Sequence, residues 1–363
     1  MSQPYQMIGY IHEGPEALRR TLEANEATVL SLAQRVREAG IQRIVLTGIG
    51  SSYTAAMMAL PVFRYHCPLP TYVLSGPEAG YYASRLVDRT ALVIAISRSG
   101  ERGVVVHTLA EAVQRGALGV AVTAGADSLL AKKAHVALVT AEGREITWPK
   151  TKSVVAATGL LMRLGLALAG SEDSEAATRL VALRSMSKAM QDTLESAEPL
   201  VQRLIPEIST RELVAVVGTG GNYGTAIEGA MKIMEASSMS TRFDSTDGLL
   251  NGPVGGFDRR WLVLPLVTSV DLEQTRELLR VTRRLGAYTV AVCAPGLDLL
   301  GLADQVLTLP VQPDPLLGAL VYLLPLQLVA YYWTVARGMN PDAPASMQAI
   351  LNAVLPPGRE EPE

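Results

Sequence analysis

Five short apolar runs recur through the first half of the chain: RIVLTG from Arg43, TYVLSG from Thr71, ALVIAIS from Ala91, LGVAVTAG from Leu118 and HVALVT from His135. They are rich in β-branched residues and lack strict polar alternation, so each predicts a strand buried on both faces. Between them the apolar positions fall at helical spacing, as in GVVVHTLAEAVQRG, which closes on Gly116 as a helix C-terminus does. Strands alternating with helices predict an α/β protein built on a parallel, doubly wound sheet. LVAVVGTGG, WLVLPLV, YTVAVCA and QVLTL repeat the scheme in the second half. Residues 15–39 read as helices ahead of the first sheet, and 172–205 as a mostly helical bridge. After Gly338 the pattern is loop with one helical turn, and the closing PPGREEPE reads as disordered.

The two halves are copies. At an offset of 170 residues, Gly48, Gly50, Tyr53 and Ala56 match Gly218, Gly220, Tyr223 and Ala226. Gly116, Ala117, Val120, Ala121 and Val122 match Gly286, Ala287, Val290, Ala291 and Val292, and Leu129, Leu130 and Val136 match Leu299, Leu300 and Val306. A period of that size is a duplicated domain, not a solenoid.

One segment imitates a membrane span. Residues 315–333 read PLLGALVYLLPLQLVAYYW, with Gln327 as the one conventionally polar side chain. The length suffices, but Pro325 interrupts it and no Lys or Arg cluster stands at its start. It predicts a core helix buried on all sides and entered through Pro325 at its first turn.

Composition narrows the class. Hydrophobic residues make up 48% and charged residues 18%, so the chain is core-rich and not disordered. Lys and Arg number 32 against 35 Asp and Glu, a net charge of −3, which leaves no excess to neutralise a nucleic-acid backbone. Cys67 and Cys293 stand far apart, which excludes a disulfide scaffold and a cysteine zinc site. The start carries no signal-peptide pattern, so the cytoplasm is the expected compartment.

Ligands of open parallel sheets bind beyond the strands' carboxyl ends. There, Gly48-Ile-Gly-Ser-Ser presents backbone N–H groups around Gly50 and the hydroxyls of Ser51 and Ser52. Ser97-Arg98-Ser99-Gly100-Glu101 does the same after the third run and adds a guanidinium. Helix-terminal N–H groups, serine hydroxyls and an arginine make a phosphate cradle. The alternative is that Ser97 and Ser99 are ordinary N-caps. GxGSS is not the dinucleotide GxGxxG fingerprint, and no suitably placed acidic residue follows the second strand, which argues against a nucleotide-binding enzyme. The four histidines show no metal-ligand spacing, so no metal or other cofactor is expected. In AIEGAMKIMEASS, Glu228, Lys232 and Glu235 share one helix face. That face is either solvated or buried with a purpose, and its small apolar neighbours point to burial.

Together, GIGSSY at 48–53, SRSGE at 97–101, IEGAMKIME at 227–235 and PLQLVAYYWTVARGMNPDAP at 325–344 resemble the double sugar-isomerase (SIS) domain proteins. The nearest pattern is the isomerase half of glucosamine-6-phosphate synthase, with its stand-alone deaminase, ketose/aldose isomerase and deglycase relatives. IHEGPEALRRTLE at 11–23 resembles the family's leading helix. The resemblance implies two tandem SIS domains, each a doubly wound, flavodoxin-like parallel sheet flanked by helices. The expected division is 1–195 for the leading helices and first domain, and 196–363 for the second domain and tail. It implies a phosphosugar held by Ser51, Ser52, Ser97 and Ser99. Glu235 would move a proton between C1 and C2 of the open-chain sugar, with Lys232 one turn earlier.

The departures bear on function. Arg102 stands where a Thr or Ser would complete the phosphate loop. Asn251-Gly252-Pro253 replaces a family His-Gly-Pro whose histidine opens the sugar ring, and no lysine occurs in 345–350. Trp148 and Lys150 replace small residues, and Lys150 is a candidate anion-binding charge beside the retained Thr151-Lys152-Ser153. The chain begins Met1-Ser2, so a glutaminase domain is not expected. The leading expectation is an isomerase or deaminase acting on an amino- or keto-hexose 6-phosphate. The alternative is a lapsed, phosphosugar-sensing protein. A homodimer is expected, with residues 248–253 at its interface, and neither nucleic acid nor membrane as partner.

Overall fold

The computed structural model describes residues 5–82, 85–101, 103–170, 172–299 and 301–344. Two helices lead, α1 (Gln6–Ala24) and α2 (Glu26–Glu38). The first copy follows as β1 (Arg43–Gly48), α3 (Ser51–His66), β2 (Thr71–Ser75), α4 (Gly76–Tyr82), β3 (Ala91–Ile96), α5 (Gly103–Gln114), β4 (Leu118–Thr123), α6 (Leu129–Lys133), β5 (Val136–Val139) and α7 (Lys152–Leu168). A long bridge, α8 (Ser174–Ile208), leads into β6 (Leu213–Gly218), α9 (Tyr223–Ser237), β7 (Ser240–Asp244), α10 (Thr246–Leu250), β8 (Trp261–Val267), α11 (Leu272–Arg284), β9 (Tyr288–Cys293), β10 (Gln305–Thr308) and α12 (Ala319–Ala336).

The strands form two five-stranded sheets, ordered β2-β1-β3-β4-β5 and β7-β6-β8-β9-β10. Every pairing is parallel. This is the flavodoxin-like order in both copies, with the topological switch between the first and third strands of each. β3 and β4 are buried at every residue, as their unbroken apolar runs predict. One continuous core joins the inner faces of both sheets through α1, α3, α7, α8, α9 and α12. α5 closes the outer face of the first sheet, and α10 and α11 that of the second.

Three elements differ from the sequence expectation. β7 was not foreseen: STRFD is a polar edge strand with no fully buried residue, so it lacks the apolar signal. α1 starts at Gln6, nine residues before Pro15, and carries that proline inside the helix. Its first two free N–H groups, on Gln6 and Met7, each donate to the Asp342 carboxylate at 2.8 Å, a cap supplied from the other end of the chain. α12 likewise holds Pro325 in its interior and not at its first turn. An interior proline costs about 3 kcal/mol, which the burial of leucines at about 1.5–3 kcal/mol each offsets. α12 has the length and composition to cross a membrane, yet 83% of it is buried within the protein. It is a core helix. The expected domain boundary at 195/196 lies inside α8. The tail expectations, 345–363, and Arg102 lie outside the described residues.

Candidate active site

β1 passes into α3 through a single tight turn in which Gly50 takes φ +56°, and Gly220 takes φ +59° at the same place in the second copy. A left-handed residue there lets the helix begin at once, so its first N–H groups face the carboxyl edge of the sheet. Ser51 and Ser52 sit in that first turn, half-buried. β3 is the neighbour of β1, so the loop carrying Ser97, Arg98 and Ser99 opens on the same edge. Ser97 Oγ accepts from Gly100 N at 3.2 Å and Ser99 Oγ from Glu101 N at 3.4 Å. Each serine therefore stabilises its turn as a cap does, while its hydroxyl hydrogen is left to donate.

The second copy reaches this edge through α9. Gly224 makes that approach possible: a Cβ there would lie 2.6 Å from the backbone N of Met58. With the helices that close, Ser51 and Thr54 of α3 meet the charged face of α9. Ser51 Oγ donates to Glu228 Oε1 at 3.1 Å and accepts from Lys232 Nζ at 3.1 Å. Thr54 Oγ1 donates to the other Glu228 oxygen. Lys232 Nζ lies 3.5 Å from Glu228 Oε1 and hydrogen-bonds Glu235 Oε2. The face is buried, not solvated: side-chain exposure is 0% for Glu228, 1% for Lys232 and 20% for Glu235. Glu235 alone of the three is partly exposed.

Burial pushes the Glu228 carboxyl up to about 7, against the pull of the Lys232 charge. Burial also works against the Lys232 ammonium, yet Glu228 and Glu235 beside it hold it above the usual lysine range. The cluster is thus one fixed cation between two carboxyl groups, one of them poised to hold a proton near neutrality.

The loop after β5 forms the third wall. Glu145, buried, fills the N-terminus of α7: it accepts from Thr151 N at 2.6 Å, Thr151 Oγ1 at 2.8 Å, Lys152 N and Ser153 N at 3.2 Å each, and Ser153 Oγ. Lys152 pairs with Glu13 of α1 at 2.5 Å and lies over the Tyr10 ring. Lys150 Nζ donates to the carbonyls of Thr147 and Glu145, so its ammonium is tethered to its own loop. Burial raises the neighbouring Glu142 carboxyl, with Glu145 adding to the shift and the Arg98 charge opposing it.

Of the residues singled out in the sequence, the structure joins Ser51, Lys232 and Glu235 directly and sets Ser52, Ser97, Arg98 and Ser99 on the same sheet edge. Asn251 ends α10 on the edge of the other sheet, exposed, and its side chain meets none of the cluster among the described residues. Thr54 and Glu145 were missed, because each is a lone polar residue with no periodic signal. Glu228 was visible as part of a face but not as the partner of Ser51, which lies 177 residues away.

The chain resembles known proteins over nearly its whole length. A glutamine--fructose-6-phosphate aminotransferase (isomerizing) of Caldanaerobacter subterraneus subsp. tengcongensis is 28% identical over 352 residues, covering 94% of this chain and 58% of that protein. The chain thus spans a little over half the length of the curated relatives it matches. The C-terminal domain of glucosamine-fructose-6-phosphate aminotransferase from Francisella tularensis has the same fold, with a TM-score of 0.84 at 24% identity over 94% of this chain and 99% of that one. So does glucosamine-6-phosphate deaminase from Thermotoga maritima, with a TM-score of 0.77 at 21% identity over 94% and 97%. The SIS domain family matches residues 39–167, which hold the first sheet, and 207–337, which hold the second. The chain belongs to the SIS domain family and carries the domain twice.

Proposed function

We propose that this protein is an enzyme acting on an amino- or keto-hexose 6-phosphate, moving a proton between C1 and C2 as an isomerase or deaminase. The observation that carries the reading is the meeting of α3 and α9. A partly exposed carboxylate, Glu235, is held by a buried ammonium, Lys232, beside the helix start at Ser51. Proton transfer at C1–C2 needs one carboxylate above that edge and a donor for the enediolate oxygens. Glu235 would supply the carboxylate, and the buried Lys232 ammonium, bonded to Ser51 and Glu235, would supply the positive charge behind it. The phosphate would sit on the backbone N–H groups beyond Gly50 and on the hydroxyls of Ser52, Ser97 and Ser99, with Arg98 as counter-charge. The names of the similar proteins support the substrate class.

Asn251 favours a second reading, binding without turnover, because an amide cannot exchange a proton as an imidazole does. A panel of 6-phosphosugars followed for isomerisation and for released ammonia separates the two. Turnover of any member supports the enzyme; saturable binding of several with turnover of none supports the sensor. We also propose a homodimer in the cytoplasm, with residues 248–253 at the interface. Light scattering at micromolar concentration tests the dimer, and a monomer there contradicts it.

A further inference from the structure

Ser51 has one hydroxyl hydrogen, and the structure shows where it goes. It is donated to Glu228 Oε1 at 3.1 Å, while the Ser51 oxygen accepts from Lys232 at 3.1 Å. A serine in this state contributes only its backbone N–H to an anion at the start of α3. For the hydroxyl to turn toward an anion, Glu228 Oε1 must give up that hydrogen bond and keep only the Lys232 ammonium at 3.5 Å, in a site with no solvent exposure. A buried carboxylate oxygen that loses a hydrogen bond with no water to replace it is destabilised, even with an ammonium beside it. A proton on that oxygen removes the conflict: Glu228 O–H donates to Ser51 Oγ, Lys232 still donates to the same oxygen, and the freed hydroxyl hydrogen points to the anion. One proton, taken from solvent, enters; no other bond changes.

We propose that Glu228 is a positioning residue that couples the two copies: an anion that engages the Ser51 hydroxyl in the first copy does so with uptake of one proton by Glu228 in the second. The inference rests on the anion-binding reading of the Ser51 loop given above.

The groups that face Glu228 make it the one to titrate. On its own helix they are Lys232 and Glu235; on α3 they are the non-titrating Ser51 and Thr54, with Arg64 and His66 at that helix's far end. α12, packed on α9, carries no Asp, Glu, Lys, Arg or His. On β7, Arg242 and Asp244 pair with each other at 3.2 Å, and β6 has no ionisable residue. Glu145 acts on Lys232 from the third wall. The proton affinity that burial gives Glu228 lies where such uptake is measurable.

Sulfate is the probe, because its charge is constant between pH 6 and 9. Its affinity for the full-length protein is measured across that range at fixed ionic strength. Binding linked to uptake is strongest at the acid end and weakens as pH rises past 7, approaching tenfold per unit. In Glu228→Gln the amide can donate to Ser51 without a proton from solvent, so affinity is flat and close to the acid limit of the parent. Ser51→Ala, which leaves the α9 cluster in place, is also flat, at a weaker level, and serves if the glutamine variant does not fold. A flat profile in the parent overturns the coupling, as does an unchanged slope in either variant. Absence of sulfate binding at tens of millimolar in all three proteins overturns instead the anion-binding reading beneath it.

Discussion

The two copies share strand order and glycine positions and differ in what fills the carboxyl edge of each sheet. In the first, that edge offers hydroxyls and helix-terminal N–H groups. In the second, the chain supplies its own anion. Asp271, at the position of Glu101, is buried and accepts from the hydroxyls of Thr246 at 3.0 Å, Thr268 at 2.9 Å and Thr275 at 3.4 Å. Glu101 stays exposed and caps Leu129 N at 3.1 Å. A carboxylate already seated among the hydroxyls repels a second anion. The charged helix face shows the reverse. At the offset of 170, Glu228, Lys232 and Glu235 of α9 correspond to Met58, Val62 and Tyr65 of α3. Each copy lacks what the other has. On the proposed reading, the pairing of α3 with α9 brings the hydroxyls of one copy against the charged residues of the other.

The sharpest way to break this division is to remove each half in turn. Glu235→Gln keeps size and polarity and removes the base, so turnover is expected to fall at least ~100-fold, the low end of a positioned general base. Sugar-phosphate affinity should stay within a few-fold, as titration calorimetry will show; a collapse of affinity would place the ligand on the wrong copy. Ser97→Ala with Ser99→Ala removes two donors to a charged group, each contributing about 1.5–3 kcal/mol. Affinity should drop at least ~10-fold with the melting temperature little changed. If the melting temperature collapses and affinity holds, those serines are caps alone.

The internal anion separates the copies by stability. Asp271→Asn is expected to lose about 1–2 kcal/mol in denaturant unfolding, since charged acceptors of buried hydroxyls are weakened. Glu101→Gln, exposed, should stay within about 0.5 kcal/mol. Equal effects would remove the contrast. The smallest signal is the pH dependence of stability. Glu228 holds its proton up to about 7 when folded, and releases it near the ordinary carboxyl value when unfolded. The folded state then binds more protons in that window, so stability is greatest below it and declines as pH rises toward 7. Glu228→Gln should flatten the difference in melting temperature between pH 5 and 8.

Much of the architecture was legible because parallel strands such as ALVIAI are buried on both faces and read as unbroken apolar runs. β7 was not, because an edge strand has no such need. Pro15 and Pro325 misplaced helix starts because local preference yields to a buried helix in a large core. In the site, helical spacing put Glu228, Lys232 and Glu235 on one face. Nothing local to the sequence says that Ser51 closes that face, or that Glu145 and Asp271 act as built-in anions. The Ser51 contact depends on a glycine, Gly224, that allows two helices far apart in the chain to touch, and the two anions on hydroxyls brought in from neighbouring loops.

The central claim is that the first copy binds and the second reacts. It is tested most directly by proton NMR of deuterium entering C1 and C2 of a turned-over hexose 6-phosphate in D2O, at saturating sugar. The parent should incorporate deuterium, Ser97→Ala/Ser99→Ala should approach the parent rate once saturated, and Glu235→Gln should remain silent at every concentration. Incorporation by Glu235→Gln at the parent rate, or a double serine variant that saturation does not restore, would contradict the division of labour between the copies.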